Sequence, residues 1–284
     1  MTSAVLTPSR REPSPPGWGS AFHSTLGRGS ALGLGLAMTW FSLLVLIPLS
    51  AIVVTAGTNG WGQYADTLGN AQTWAAIRLT VGQALMVTVM NVAMGTVIAW
   101  VLVRDRFWGK RALDVVIDIP FALPTIVAGL VLLGLYGKGG PLGLEWANTT
   151  KAVWLALAFV TLPFVVRTVQ PVLEELEHDV EEAAASLGAS PLTTFRRVVL
   201  PSLLPAIAAG AALSFARAIS EYGSLVLLSG NLPFRTEVVS VRVLTFIENG
   251  NNASAAALAT IMLAVALFVI VVLDILQRRV ARRG

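Results

Sequence analysis

The 284-residue chain is 55% apolar and 13% charged, with a mean hydropathy of +0.72. A soluble domain carries about 25% charged residues, so this chain cannot cover itself with polar side chains, and it is predicted to sit in a lipid bilayer. It has no cysteine, which excludes disulfides, thiolate metal ligands and thiol catalysis; its net charge of +4 needs no nucleic-acid partner, because membrane topology explains it.

Residues 1–30, which include "REPSPPGWG", read as a flexible cytoplasmic tail. Six apolar runs follow, at 31–55, 77–103, 115–136, 152–169, 203–228 and 255–276. A membrane-crossing helix takes roughly 20 residues. The backbone in lipid must be satisfied within its own segment, and the runs are continuous rather than alternating, so the fold class expected is all-α with six transmembrane helices. The first run is longer than a signal-peptide core and reads as a retained anchor. Gln83 and Asn91 in the second run, and Asp118 in the third, are polar positions that more often join helices than hold ligands. Pro120 and Pro124 in "DIPFALPTIVAGL" interrupt the third run, either as a packing kink or as part of a pathway wall.

The loop "GLYGKGGPLG" after the third run is not a phosphate-binding loop. Leu132 stands where the first glycine belongs, and Gly139 where a serine or threonine belongs. No ATP site is expected in this chain, and therefore no cofactor of its own. His23 and His178 stand apart from any catalytic or metal-ligating set, so no catalytic residue and no metal site are expected.

Residues 179–201, "DVEEAAASLGASPLTTFRRVVLP", are too polar for lipid yet carry helix signals. Asp179, Glu181 and Glu182 suit the positive N-terminus of a helix, and Ala183, Ala184 and Ala185 are the strongest helix formers. Gly188 suits the left-handed residue that ends many helices. Ser190 and Pro191 then read as the N-cap and first position of a second helix, with Pro201 and Pro205 bending the path into the fifth run. From the residues alone, this is either a solvated connection or a contact for another protein. Six acidic residues lie from Glu174 to Glu182, which calls for something to meet them.

In the fifth run, "SFARAISEYGS" places Ser214, Arg217, Glu221 and Ser224 within roughly an 80° arc of a continuous helix. A charge at the bilayer centre costs about 2.5–3.5 kcal/mol even on a lenient scale, so these groups are expected to face other helices or water. Two readings stand: Arg217 and Glu221 lock the bundle, or the face lines an anion path. Residues 278–284 form a basic tail. Fourteen lysines and arginines fall on one side: Arg10, Arg11, Arg28, Arg104, Arg106, Lys110, Arg111, Arg167, Arg196, Arg197, Arg278, Arg279, Arg282 and Arg283. Five fall on the other: Arg78, Lys138, Lys151, Arg235 and Arg242. Both termini and the 179–201 segment are thereby predicted to be cytoplasmic.

"EAAASLG" at 182–188, nine residues, then "VVLP" at 198–201 resembles the EAA motif of ABC importer permeases, with Val198 at an aliphatic position. "RTVQPVLEEL" at 167–176, "FARAISEYGSLVLLSGNLP" at 215–233 and "TEVVSV" at 236–241 resemble the sulfate/thiosulfate branch, its T subunit in particular. "LPTIVAGLVLLGLYGKGGPLG" at 123–143 is similar to both the sulfate and molybdate branches. The resemblance spans about residues 30–277. It implies a type I importer permease domain over 31–277 in a bacterial plasma membrane. It also implies that Glu181, Glu182, Ala183, Ala184, Ala185, Gly188 and Pro201 belong to a coupling helix and its flank, docking on a cytoplasmic ATPase dimer that binds ATP and magnesium. A second, W-type permease and an extracytoplasmic sulfate-binding protein complete the implied assembly. Molybdate or tungstate is the alternative substrate. A secondary transporter would show repeated halves, which the runs on either side of Tyr136 do not form, and an intramembrane enzyme would need paired catalytic groups within the runs.

Overall fold

The structure is a computed structural model that describes residues 28–57, 60–176 and 178–281. The expected tail 1–30 lies outside the described residues as far as residue 27, as do Glu177 and residues 282–284 of the basic tail. Every regular element among the described residues is a helix. The chain divides into two compact units, Met1–Ser50 and Ala51–Gly284. The described part of the first is the leading portion of α1 (Ser30–Gly57), with a π turn at Ser42–Leu46. Its apolar side chains, Leu32, Leu36 and Trp40 among them, are exposed, as suits a helix whose solvent is lipid.

The second unit continues through α2 (Gly60–Gly69) and the long α3 (Ala71–Arg104). Asn70 caps α3, its side-chain oxygen accepting from the Thr73 N–H at 3.0 Å. The third apolar run is not one rod. It forms α4 (Lys110–Ala122) and α5 (Thr125–Tyr136), bent by 116° at Leu123–Pro124. Pro124 disfavours helical backbone at Leu123, which is extended instead. The fourth run lies within α6 (Thr150–Glu175), longer than expected because its helix continues past Arg167 to its acidic end.

After α7 (His178–Ser186) the second helix expected from Ser190 and Pro191 forms and runs on into the fifth span as α8 (Pro191–Ile219), with a π turn at Phe195–Val199. The fifth run then breaks at residues 220–222, and α9 (Gly223–Leu228) is a separate element. The short helix α10 (Val239–Glu248) and the last span, α11 (Asn252–Ala281), close the fold.

The core is built on α3, α6 and α8. Phe215, Leu157, Val87, Leu225 and Leu228 pack toward one end; Leu102, Val165, Val169, Leu173 and Leu203 pack toward the other. Lipid supplies no hydrophobic drive between helices, so close backbone approach at small residues carries the packing. At Gly95 an added Cβ would lie 2.9 Å from Val165, and at Gly129 it would lie 2.6 Å from the Ser224 carbonyl oxygen. Asn91, fully buried, donates from Nδ2 to Thr161 Oγ1 at 2.8 Å and so joins α3 to α6.

Candidate functional site

The polar segment forms a helix, a sharp turn and a second helix. Gly188 has φ +82°, the left-handed conformation that releases the chain from α7. Its N–H donates to the Ala185 carbonyl at 2.9 Å, and the Ala189 N–H reaches back to the Ala184 carbonyl at 3.1 Å. These two bonds are a Schellman ending, which satisfies carbonyls that helix termination would otherwise orphan. Ser190 caps α8, its Oγ accepting from the Thr193 N–H at 3.3 Å with Pro191 in the first turn. Glu182, Ala183, Ser186 and Leu187 are exposed, and so is Leu192 across the turn. Pro201 lies thirteen residues beyond Gly188, inside α8. It has no N–H to offer the preceding turn, and the π turn stands directly before it, with the Leu200 N–H donating to Phe195 O.

Glu181, about 100° around α7 from Glu182, turns toward the bundle. Its carboxylate receives a hydrogen bond from Arg104 Nη2 at 2.5 Å, and the same nitrogen donates to the Leu176 carbonyl at 3.2 Å. Arg104 lies over Trp100, whose ring meets Phe195 edge-on at 5.5 Å. A cavity of about 280 Å³ lies under α7, lined by Trp100, Glu181, Ala185, Ala189 and Phe195 among others. A second cluster joins α4 to α6. Arg167 donates through Nε and Nη2 to both oxygens of Asp118, through Nη1 to Asp114 Oδ1 and Gln170 Oε1, and through Nη2 to the Asp114 carbonyl, all at 2.6–2.8 Å. All five N–H donors of the guanidinium are thus engaged.

The arc proposed for Ser214, Arg217, Glu221 and Ser224 does not exist as one helical face, because α8 ends at Ile219. Arg217 Nη2 still lies 2.6 Å from Glu221 Oε2. Glu221, only 1% exposed, turns its other oxygen to α9 and accepts from both the N–H and the hydroxyl of Ser224 at 2.8 Å. Its carbonyl accepts from Ser240 Oγ at 2.7 Å, tying the break to α10. Ser214 is buried in the core rather than set beside this group on a shared surface. The arrangement favours an internal lock, with one carboxylate serving a cation and a helix start together.

Residues 91–283 match the family of binding-protein-dependent transport system inner membrane components. The chain belongs to that family. It is 41% identical over 262 residues to the sulfate transport system permease protein CysT of Salmonella typhimurium, covering 90% of this chain and 95% of that one. It is 40% identical over 253 residues to the protein of the same name from Synechocystis, covering 86% and 87%. Among solved structures, a bacterial ABC transporter involved in the import of the acidic polysaccharide alginate superposes with a TM-score of 0.71 at 15% identity, covering 88% of this chain and 94% of that one. The MetNI methionine ABC transporter superposes at 0.51 and 18% identity, covering 74% and 96%. These two likenesses show a shared fold.

In this inner membrane component, sequence reasoning passed over Arg104, Trp100, Phe195 and Asp114. One signal was present for Arg104: the acidic stretch beginning at Glu174 demanded cations, and Arg104 directly follows an apolar run, whereas Arg167 meets Asp114 and Asp118, outside that stretch. Their partners lie 77 and 49 to 53 residues away, so spacing gave no means of choosing them.

Proposed function

We propose that this chain is the permease subunit of an ATP-driven importer of sulfate and thiosulfate, and that α7 is its contact with the motor. The chain is a multi-pass membrane protein, and its likeness to curated sulfate permeases over nine-tenths of its length carries the substrate assignment. That likeness favours sulfate over molybdate and tungstate. The permease domain occupies 31–277, both termini and α7 lie in the cytoplasm, and 1–30 and 278–284 are tails. A cytoplasmic ATPase dimer binds ATP and magnesium, so the permease itself carries no cofactor and performs no catalysis. A second permease of W type pairs with it, and an extracytoplasmic binding protein delivers the anion.

The mechanism follows from geometry. Glu182, Ala183 and Ser186 present a short exposed face, and the turn at Gly188 fixes the angle at which α7 meets α8. A rigid helix so ended passes a displacement into the spans it joins, and α8 carries it past Pro201 toward the Arg217–Glu221 lock. Labelled sulfate uptake tests the reading in cells that lack their own sulfate permease and express the complete transporter. Uptake that depends on this chain and is competed by thiosulfate in preference to molybdate is expected. Preferential competition by molybdate would overturn the substrate, and uptake without the ATPase would overturn the mechanism.

A further inference from the structure

We propose that Arg104 is a positioning residue for coupling, tying α7 to the cytoplasmic end of α3. Movement of α7 then enters the longest span directly, as well as through the helices the chain connects to it. The inference rests on the reading of α7 as the motor contact and adds the route from there into the bundle.

The chain links α7 to α6 on one side and to α8 on the other. No short connection joins it to α3, since Arg104 and Glu181 are 77 residues apart. Arg104 is the last residue of α3, and its side chain is 8% exposed. Its Nη2 holds Glu181, in α7, and the carbonyl of Leu176, the C-cap of α6. One turn back on α3, Trp100 carries the contact on to Phe195, where the π turn of α8 begins. The ends of α6, α7 and α8 are thus gathered at Arg104 and Trp100 on the closing stretch of α3.

The cavity shows why this ion pair matters mechanically. Ala185, Ala189 and Phe195 leave about 280 Å³ between α7 and the bundle, so close packing does not hold α7 in place. A guanidinium this buried is costly without its anion, so the pair resists separation and α3 follows α7. The open space leaves α7 room to move against the bundle while the Arg104–Glu181 contact stays made. The π turn, a widened segment of backbone common at functional positions, begins seven residues beyond Gly188.

The test uses the assembled transporter in lipid, with sulfate uptake and ATP hydrolysis measured together. Arg104→Glu and Glu181→Arg are each expected to lower sulfate moved per ATP by at least about fivefold, within the ordinary range of energetic coupling between sites. The combined Arg104→Glu/Glu181→Arg chain, which restores opposite charges, is expected to recover most of it. The permease has no native cysteine. Arg104→Cys/Glu181→Cys can therefore be bridged by a bis-methanethiosulfonate spacer, which is expected to restore coupling until a reductant removes it. A role confined to folding would not respond to that reversible tether. Single variants that move as much sulfate per ATP as the wild type would overturn the role. So would a charge swap and a tethered pair that both stay as low as the singles, whether or not the singles assemble. A wild-type complex whose hydrolysis ignores the sulfate-loaded binding protein would instead overturn the function itself.

Discussion

Replacing Gly188 with valine isolates the contribution of one backbone conformation. Gly188 sits at φ +82°, and no heavy atom lies within 4 Å of the position a Cβ would take. The substitution therefore meets no neighbour, and its cost is conformational. An L-residue in the left-handed region loses about 1–2 kcal/mol, with β-branched residues worst placed and asparagine among the best tolerated. That penalty lowers the population of the closed turn by about 5–30-fold. Coupled transport is expected to fall in the order Gly, Asn, Ala, Val. The Gly188 and Ala189 amides, which close the Schellman bonds, are expected to exchange hydrogen faster in the same order. Sulfate-stimulated ATP hydrolysis and uptake in the reconstituted complex measure the first, and exchange monitored by mass spectrometry the second. A valine variant with wild-type coupling and protection would refute the reasoning. Equal losses for asparagine and valine would also refute it, since side-chain presence on an open surface, rather than φ, would then be decisive.

Four further outcomes follow from the packing. Gly129→Ala would place its Cβ 2.6 Å from the Ser224 carbonyl oxygen and 2.8 Å from its Cα; backbone atoms cannot swing aside, and a loss of about 1–3 kcal/mol is expected from thermal unfolding in detergent. Gly134→Ala, on the same helix but with open space around it, is expected to be neutral or to gain up to about 1 kcal/mol. Arg167→Lys gives up the two-oxygen grip on Asp118; with the aspartates close to half exposed, solvent screening limits the expected loss to about 1–2 kcal/mol in the same assay. Arg217→Ala strands the buried Glu221 carboxylate, for an expected cost of about 3–5 kcal/mol. Adding Glu221→Gln should recover most of that cost, because the amide oxygen still accepts from Ser224; no recovery would show that the charge pair is not what Arg217 supplies.

The local features of the candidate site were legible because each rests on a few neighbouring residues. Gly188 declares the left-handed turn, and Ser190 with Pro191 declares the restart of the helix. Arg217 and Glu221 stand one helical turn apart, so their contact was open to inspection in the same way. Ser224 was placed wrongly on that face. Ser220, Glu221 and Tyr222 interrupt an otherwise apolar run, and hydropathy does not tell a polar helix face from a backbone break. The break is held by Glu221 accepting from the Ser224 N–H and by Ser240 Oγ donating to the Glu221 carbonyl, and the second partner belongs to another helix.

By itself, then, the order of residues determined the solvent of this protein, the apolar runs from which its long helices form and the turn that sets α7 at an angle to α8. Those properties follow from side-chain polarity and short-range backbone preference, which act over a few residues. Only the tertiary structure decided that Glu181 turns inward to Arg104 while Glu182 stays outside, and that Arg167 gathers both Asp114 and Asp118. A charge in a poorly polar surround must find a partner, but which one it meets depends on helices brought together from distant parts of the chain.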